Sequence, residues 1–418
     1  MANIAFAIEH EEGHLFPTFK LARRLIARGH RVAYIGPADA AEMVRRQGLE
    51  FLTVLERSIP PGSIPALREA QAGQGIGRTG DRSWMAMYEA WIAGLARGEV
   101  DAPVRALRPD LFVTSTFHGA VTLGLYYRYR QPQVLITQYL RRTPKAELAP
   151  NVEGVLARLR SGMDELMTQV RLVQPSAHRL GDVVAPLLRM RELILCPAEL
   201  ELSGMSYEYE REVFYVEPSV DLERRPEGDF PWDRIDPACR LIYCAFGSQM
   251  RSHPLERLHA LSRALVGAMA AHPDWQLVLS TGGGLGPQDL PPLPGNVLVV
   301  EWAPQLALLE RAAAAVIHGG LGTTKECILL GVPMVVLPQA VDQFDNAERI
   351  VHHRLGVQIG DADLDPDRLA ALLATALQDP EIRGGLERMR TRFQEVEDEG
   401  PSVRRIEEVL LRGAARRT

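Results

Sequence analysis

Short apolar runs alternate with longer stretches of helical periodicity along the whole chain, and the alternation starts afresh near the middle. In the first half, residues 4–8 read as a strand, a polar turn follows, and a helix is expected from about 16 to 28, ended by Gly29. Further strands are expected at 31–35, 51–54, 111–114, 134–137 and 193–195. The second half repeats the plan at 241–246, 275–280, 297–301, 315–317, 334–337 and 357–359, with helices between. Continuously apolar strands separated by helices predict parallel sheets covered on both faces, an α/β doubly wound architecture. Residues 217–237 break the rhythm with four prolines and ten charged residues, the composition of a linker.

A chain of 418 residues is long for one domain and fits two of roughly 200 each. Its composition, 46% hydrophobic and 24% charged, is that of a globular protein. A net charge of −6 with no basic block argues against a nucleic-acid partner. No segment reaches the ~18 apolar residues of a membrane helix. The N-terminus turns acidic after seven apolar-rich positions, so no signal peptide is expected and the location expected is cytoplasmic. Four cysteines (Cys196, Cys239, Cys244, Cys327) are scattered with no metal-ligand spacing and read as reduced, mostly buried thiols. No metal site is expected.

The densest chemistry lies between Trp302 and Gln343. The segment reads W-A-P-Q, then H-G-G-L-G-T-T-K-E, then G-V-P and P-Q-A-V-D-Q. Ala315, Val316 and Ile317 form a short strand, and a helix follows from Thr323. A helix N-terminus leaves N–H groups unpaired and carries partial positive charge, and glycines let the backbone approach a phosphate.

The order Trp302, Gln305, His318, Thr323, Glu326, Asp342, Gln343 resembles the donor-binding signature of family 1 glycosyltransferases, in the spacing of the plant enzymes apart from a shorter Trp-to-His gap. That resemblance implies the GT-B fold, two facing Rossmann-like domains with a cleft between them. It divides the chain into an acceptor-binding domain (1–217), a linker (218–236) and a donor-binding domain (237–395). The last segment (396–418) is then a helix crossing back to the first domain. Its apolar positions Val403, Ile406, Val409 and Leu410 follow Glu399-Gly400-Pro401 at helical spacing.

For the matched positions the resemblance implies roles. Trp302 stacks on the base and Gln305 helps hold it. His318 with Gly322 and Thr323 binds the diphosphate, and Glu326 takes both ribose hydroxyls. Asp342 and Gln343 bond the sugar, and Ser248 adds a phosphate contact. Each has a plainer alternative: Trp302 as a core aromatic, Glu326 as a helix-surface charge, His318 as a core histidine. The co-substrate implied is a UDP-sugar with free hydroxyls, such as glucose, because dTDP-deoxysugar users often lack W-x-P-Q. A deoxy sugar would also leave Asp342 and Gln343 short of partners. No other cofactor is implied.

On the acceptor side, Gly13-His14-Leu15-Phe16-Pro17 resembles the family's G-H-x-x-P loop, which makes His14 the general base. Histidines titrate near ~6.5 and serve as bases around neutral pH. A single displacement then inverts the anomeric carbon. His10 is a rival that reads as a solvated histidine among Glu9, Glu11 and Glu12. In the family the base is oriented by an aspartate in the P-D-hhh-x-D segment. Here that position is Ser115, in Pro109-Asp110-Leu111-Phe112-Val113-Thr114-Ser115. Ser115 takes the orienting role, or Glu9, Glu11 or Glu12 substitutes in space, or a phenolic or enolic acceptor needs less help, or turnover has been lost.

The acceptor expected is a small lipophilic natural product. Trp84, Met87, Tyr88, Trp91 and Leu95 form one helical face, either core or a pocket wall, with Met85 and a helix over 155–173 as further wall candidates. The glycine-rich stretch 71–80 reads as a loop near the acceptor rather than a nucleotide site. Two readings compete with a UDP-hexosyltransferase: a dTDP-deoxysugar-dependent antibiotic glycosyltransferase, and a non-catalytic auxiliary protein of the same fold. The fold is shared with UDP-N-acetylglucosamine 2-epimerases, but W-x-P-Q and G-H-x-x-P are not the marks of that class. The oligomeric state stays open.

Overall fold

The computed structural model describes residues 1–418 apart from 72–79, 141–162, 164, 167, 169–182, 203–211, 224–228, 248–254, 284, 287–288, 340–341 and 416–418. Two parallel sheets organise it. The first contains β1 (Asn3–Ala7), β2 (Arg31–Gly36), β3 (Glu50–Thr53), β4 (Leu111–Ser115), β5 (Gln133–Thr137), β6 (Arg191–Ile194) and β7 (Val213–Tyr215), in the order β3-β2-β1-β4-β5-β6-β7. The second contains β8 (Arg240–Ala245), β9 (Trp275–Ser280), β10 (Val297–Val300), β11 (Ala314–Ile317), β12 (Met334–Val336) and β13 (Gly356–Gln358), in the order β10-β9-β8-β11-β12-β13.

The strands are apolar on both faces for a visible reason. In β1, Ala5 and Ala7 join one core while Ile4 and Phe6 join the core on the opposite face. In β8, Leu241 and Tyr243 face one core and Ile242 and Cys244 the other. This two-residue alternation between helical layers is why the strands show no polar side.

In each sheet the strand order reverses at one place, between β1 and β4 and between β8 and β11. Connections leave such a point in opposite directions and open a crevice at the carboxyl ends of the strands, where α/β folds bind ligands. The residues following β1 and β4 include Glu9, His14 and Phe117; those following β8 and β11 include Gly247 and His318. The candidate chemistry therefore sits at both switch points.

The expected strands are present, with ends shifted by a residue or two. β7 was not foreseen: Val213-Phe214-Tyr215 is apolar but only three residues long and follows the charged Glu210-Arg211-Glu212. The first helix is Glu12–Ala27, starting four residues earlier than its apolar pattern indicates. His14 thus lies in a helical first turn, not in a loop, with its N–H on the Glu11 carbonyl at 3.0 Å. His10 is buried rather than solvated, 2.7 Å from the Glu11 carboxylate. Trp91, Leu95, Met87 and Met85 are core residues, and Tyr88 packs against that core. The helix expected over 155–173 lies almost wholly outside the described residues, and so does the 71–80 stretch apart from its ends.

The chain joins its two sheets by more than the linker. The helix Pro401–Ala415 lays Val403 and Ile406 into the core that contains Ile4 and Phe6. Glu217, fully buried, receives Arg24 at 2.8 Å and the Ser402 N–H at 3.0 Å, which ties the start of that helix to the first domain. Lys325 reaches out of the second domain to donate to the Leu195 and Pro218 carbonyls, both at 2.8 Å. Arg349 donates twice to Glu201, at 3.0 and 2.7 Å. Buried charges of this kind hold geometry strongly, because breaking one partner strands the other.

Candidate active site between the two sheets

Where the first helix meets the second domain lies a small pocket whose walls include Phe16 and Pro17, Ser219 from the linker, and Gly322 and Glu326. The side chains of the Trp302–Gln343 segment gather on the second-domain side. After β11 the chain turns at Gly319 and Gly320 into the helix Leu321–Leu330. Gly319 has φ +87°, and a Cβ there would lie 3.0 Å from the Gln343 carbonyl oxygen. A Cβ on Gly247 would fall 2.6 Å from the His318 ring. Glycine at these two positions lets the His318 imidazole sit between the loops and lets the 342–343 segment close against the turn.

The helix Leu321–Leu330 starts without a side-chain cap, so its first N–H groups remain available to an anion. Glu326, one turn in, is 1% exposed. The Gln305 amide donates to the Glu326 carboxylate and to the Thr323 hydroxyl (3.3 Å), and the Tyr243 hydroxyl donates to the Gln305 carbonyl at 3.4 Å. The carboxylate is therefore oriented by the same residue that stands three places after Trp302. Trp302 itself is 57% exposed, which removes the core-aromatic alternative, and the burial of Glu326 removes the surface-charge one.

Asp342 and Gln343 begin the helix Gln343–His352. Asn346, which sequence reasoning did not single out, donates to the Gly319 carbonyl at 2.9 Å and to Asp342 at 3.1 Å, knitting the two halves of the segment. The Gln343 side-chain oxygen accepts from the Gln339 N–H at 2.8 Å. Burial lifts the Asp342 carboxyl above the usual carboxylate range, opposed by its backbone and Asn346 hydrogen bonds. His14, if protonated, would act on Asp342, so the first-domain imidazole lies within electrostatic reach of the second domain. Ser248 lies outside the described residues.

At the first switch point, His14 Nδ1 hydrogen-bonds Gln138 Oε1 at 2.8 Å, and Gln138 Nε2 donates back to the His14 carbonyl at 2.5 Å. Ser115, expected as the direct partner of the imidazole, does not touch it. Its hydroxyl donates to Glu9 Oε1 at 3.0 Å and accepts from the Phe117 N–H at 3.1 Å. Glu9 Oε2 instead stands 3.8 Å from His14 Nδ1. Of Glu9, Glu11 and Glu12, Glu9 is the one placed beside His14, while Glu11 is engaged with His10.

Phe117, 48% exposed, meets the His14 ring edge-on at 4.9 Å and packs on Tyr139. The Tyr88 hydroxyl donates to the Phe117 carbonyl at 3.0 Å. Beneath them His118 is buried, and desolvation holds its imidazole below the ordinary range and therefore neutral. Among the described residues no cluster of His, Cys, Asp or Glu is arranged to hold a metal, and no helix is long and apolar enough to cross a membrane.

Known proteins resemble this chain along its whole length. A family model described as erythromycin biosynthesis protein CIII-like, C-terminal domain, matches residues 268–399. Demethyllactenocin mycarosyltransferase from Streptomyces fradiae is 28% identical, over 96% of this chain and 85% of its own. Oleandomycin glycosyltransferase from Streptomyces antibioticus is 27% identical, over 93% and 86%. The crystal structure of the glycotransferase of kitacinnamycin superposes with a TM-score of 0.72 at 27% identity and covers 98% of both chains. The two parallel α/β layers are the GT-B arrangement.

Proposed function

We propose that this chain, a family 1 glycosyltransferase of the bacterial natural-product type, moves a hexose from a UDP-sugar to a hydroxyl of a small lipophilic acceptor, with inversion. The observation that carries the donor half of this reading is Trp302. A 57% exposed indole next to a prearranged Gln305–Glu326–Thr323 group is a platform for a flat base with a ribose acceptor beside it. The free N–H groups that open the Leu321–Leu330 helix, with His318, meet the charge of the departing diphosphate. Asp342 and Gln343 are the groups that would bond the sugar hydroxyls.

His14 acts as general base in this reading. Its imidazole takes the acceptor proton as the oxygen attacks the anomeric carbon and the diphosphate leaves from the opposite face. Glu9 stabilises the imidazolium that forms. At 3.8 Å the carboxylate is close enough to attract that charge without a hydrogen bond to the ring. This restores, from β1, the charge that an aspartate at position 115 would bring from β4. No metal enters the scheme, and the site is assigned no cofactor beyond the nucleotide-sugar.

One finding favours a second reading. The relatives are named for antibiotic glycosyl transfer, mycarosyl transfer among them, so a dTDP-deoxysugar is the competing donor. Calorimetric titration of UDP and dTDP separates the two. UDP is expected to bind at least tenfold tighter, a difference of about 1.4 kcal/mol. Tighter binding of dTDP would transfer the proposal to deoxysugars, and binding of neither would leave a non-catalytic auxiliary protein.

A further inference from the structure

The pair of contacts between Gln138 and His14 defines more than a distance. The His14 carbonyl only accepts hydrogen bonds, so the Gln138 atom 2.5 Å from it must be the amide nitrogen. That settles the amide's orientation and turns Oε1 toward the imidazole, 2.8 Å from Nδ1. An amide oxygen likewise only accepts. Nδ1 therefore carries the proton, and the lone pair sits on Nε2.

We propose that Gln138 is the positioning residue of His14, holding the ring in the tautomer whose Nε2 accepts the substrate proton. Gln138 follows β5, next to β4 in the sheet, so the task has moved one strand away from the position that Ser115 occupies. The division of labour is physical. Gln138 supplies direction without charge. Glu9, 3.8 Å from Nδ1 and outside hydrogen-bond reach, supplies charge without direction, and Ser115 keeps its other oxygen in place at 3.0 Å. Among the described residues, other ionisable groups near the imidazole include Glu11 paired with His10, the buried neutral His118, Tyr88 bonded to the Phe117 carbonyl, and Asp342 on the second domain. Phe117 closes the ring's flank. None of these offers Nδ1 another hydrogen-bond acceptor.

This inference rests on His14 being the base, and the test separates the two. Wild type, Gln138→Leu, Gln138→Glu and His14→Ala are compared with UDP-glucose and a phenolic acceptor, following kcat, donor KM and the pH profile of kcat/KM. Gln138→Leu is expected to lower kcat roughly ten- to hundredfold, part of the 10²–10⁴ a general base contributes, with donor KM and UDP affinity unchanged. Gln138→Glu keeps an acceptor at Nδ1 and adds a negative charge that favours the imidazolium. It is expected to retain most of kcat while the acid limb of kcat/KM moves to higher pH. An inactive His14→Ala together with a Gln138→Leu of wild-type kcat and pH profile would overturn the positioning role alone. Full activity in His14→Ala would overturn the base assignment and this inference with it. Should Gln138→Leu lose UDP affinity through misfolding, the limb shift in Gln138→Glu still decides: an unmoved limb contradicts the proposal.

Discussion

Around Glu326 the polar groups bond one another directly: Tyr243 to Gln305, and Gln305 to both Thr323 and Glu326. Around His14 they meet in separate pairs, Gln138 with the imidazole and Ser115 with Glu9, and one Glu9 oxygen stays outside hydrogen-bond reach of the ring. The difference fits the roles proposed for the two regions. A nucleotide is the same at every turnover, so its contacts can be set in advance on one strand–helix unit. A base changes charge during the reaction. A carboxylate that sits close but is not hydrogen-bonded to the ring helps most when the imidazolium forms.

Breaking each side tests that contrast, and the largest effect belongs to the base. His14→Ala is expected to lower kcat by roughly 10²–10⁴ in steady-state assays while UDP affinity by calorimetry is unchanged. On the donor side, Glu326→Gln removes a charged acceptor for the ribose and is expected to weaken UDP binding by ~1.5–3 kcal/mol. Trp302→Ala is expected to weaken it by ~1–3 kcal/mol through lost stacking. Its melting temperature should stay that of the wild type, because an exposed indole contributes little to the core. The smallest effect is sought at Glu9→Gln, a several-fold loss in kcat. Removing the negative charge disfavours the imidazolium, so the acid limb of kcat/KM should move to lower pH, opposite to Gln138→Glu. Equal limbs in both variants would mean that neither residue communicates with His14.

The donor side was the more legible because most of its contacts, those of Tyr243 and Gly247 apart, lie within about forty residues of sequence. Strand, glycine turn and helix follow directly, and the spacing from His318 to Glu326 to Asp342 is a property of that local geometry. The base side is assembled by sheet topology. Glu9, Ser115 and Gln138 come from the ends of three different strands, β1, β4 and β5, and nothing in the local pattern of Thr137-Gln138-Tyr139 marks a partner for a residue 124 positions earlier. His10 misled for the same reason: its acidic neighbours read as solvent, whereas two of them, Glu9 and Glu11, follow it into the interior. Asn346 was missed because an asparagine inside an amphipathic helix looks like any polar surface position until Gly319 is packed beside it. Lys325 and Arg349, which also tie the domains together, are hidden likewise, since a buried charge becomes visible only with its partners.

The central claim is an inverting transfer from a UDP-sugar with His14 as base, and the product's anomeric configuration tests it most directly. Wild-type protein and His14→Ala would be incubated with UDP-α-glucose and a phenolic acceptor, and the anomeric proton coupling of the product read by NMR. The account predicts a β-glycoside from the wild type and almost none from His14→Ala. An α-glycoside, or a β-glycoside formed equally well without His14, would contradict it.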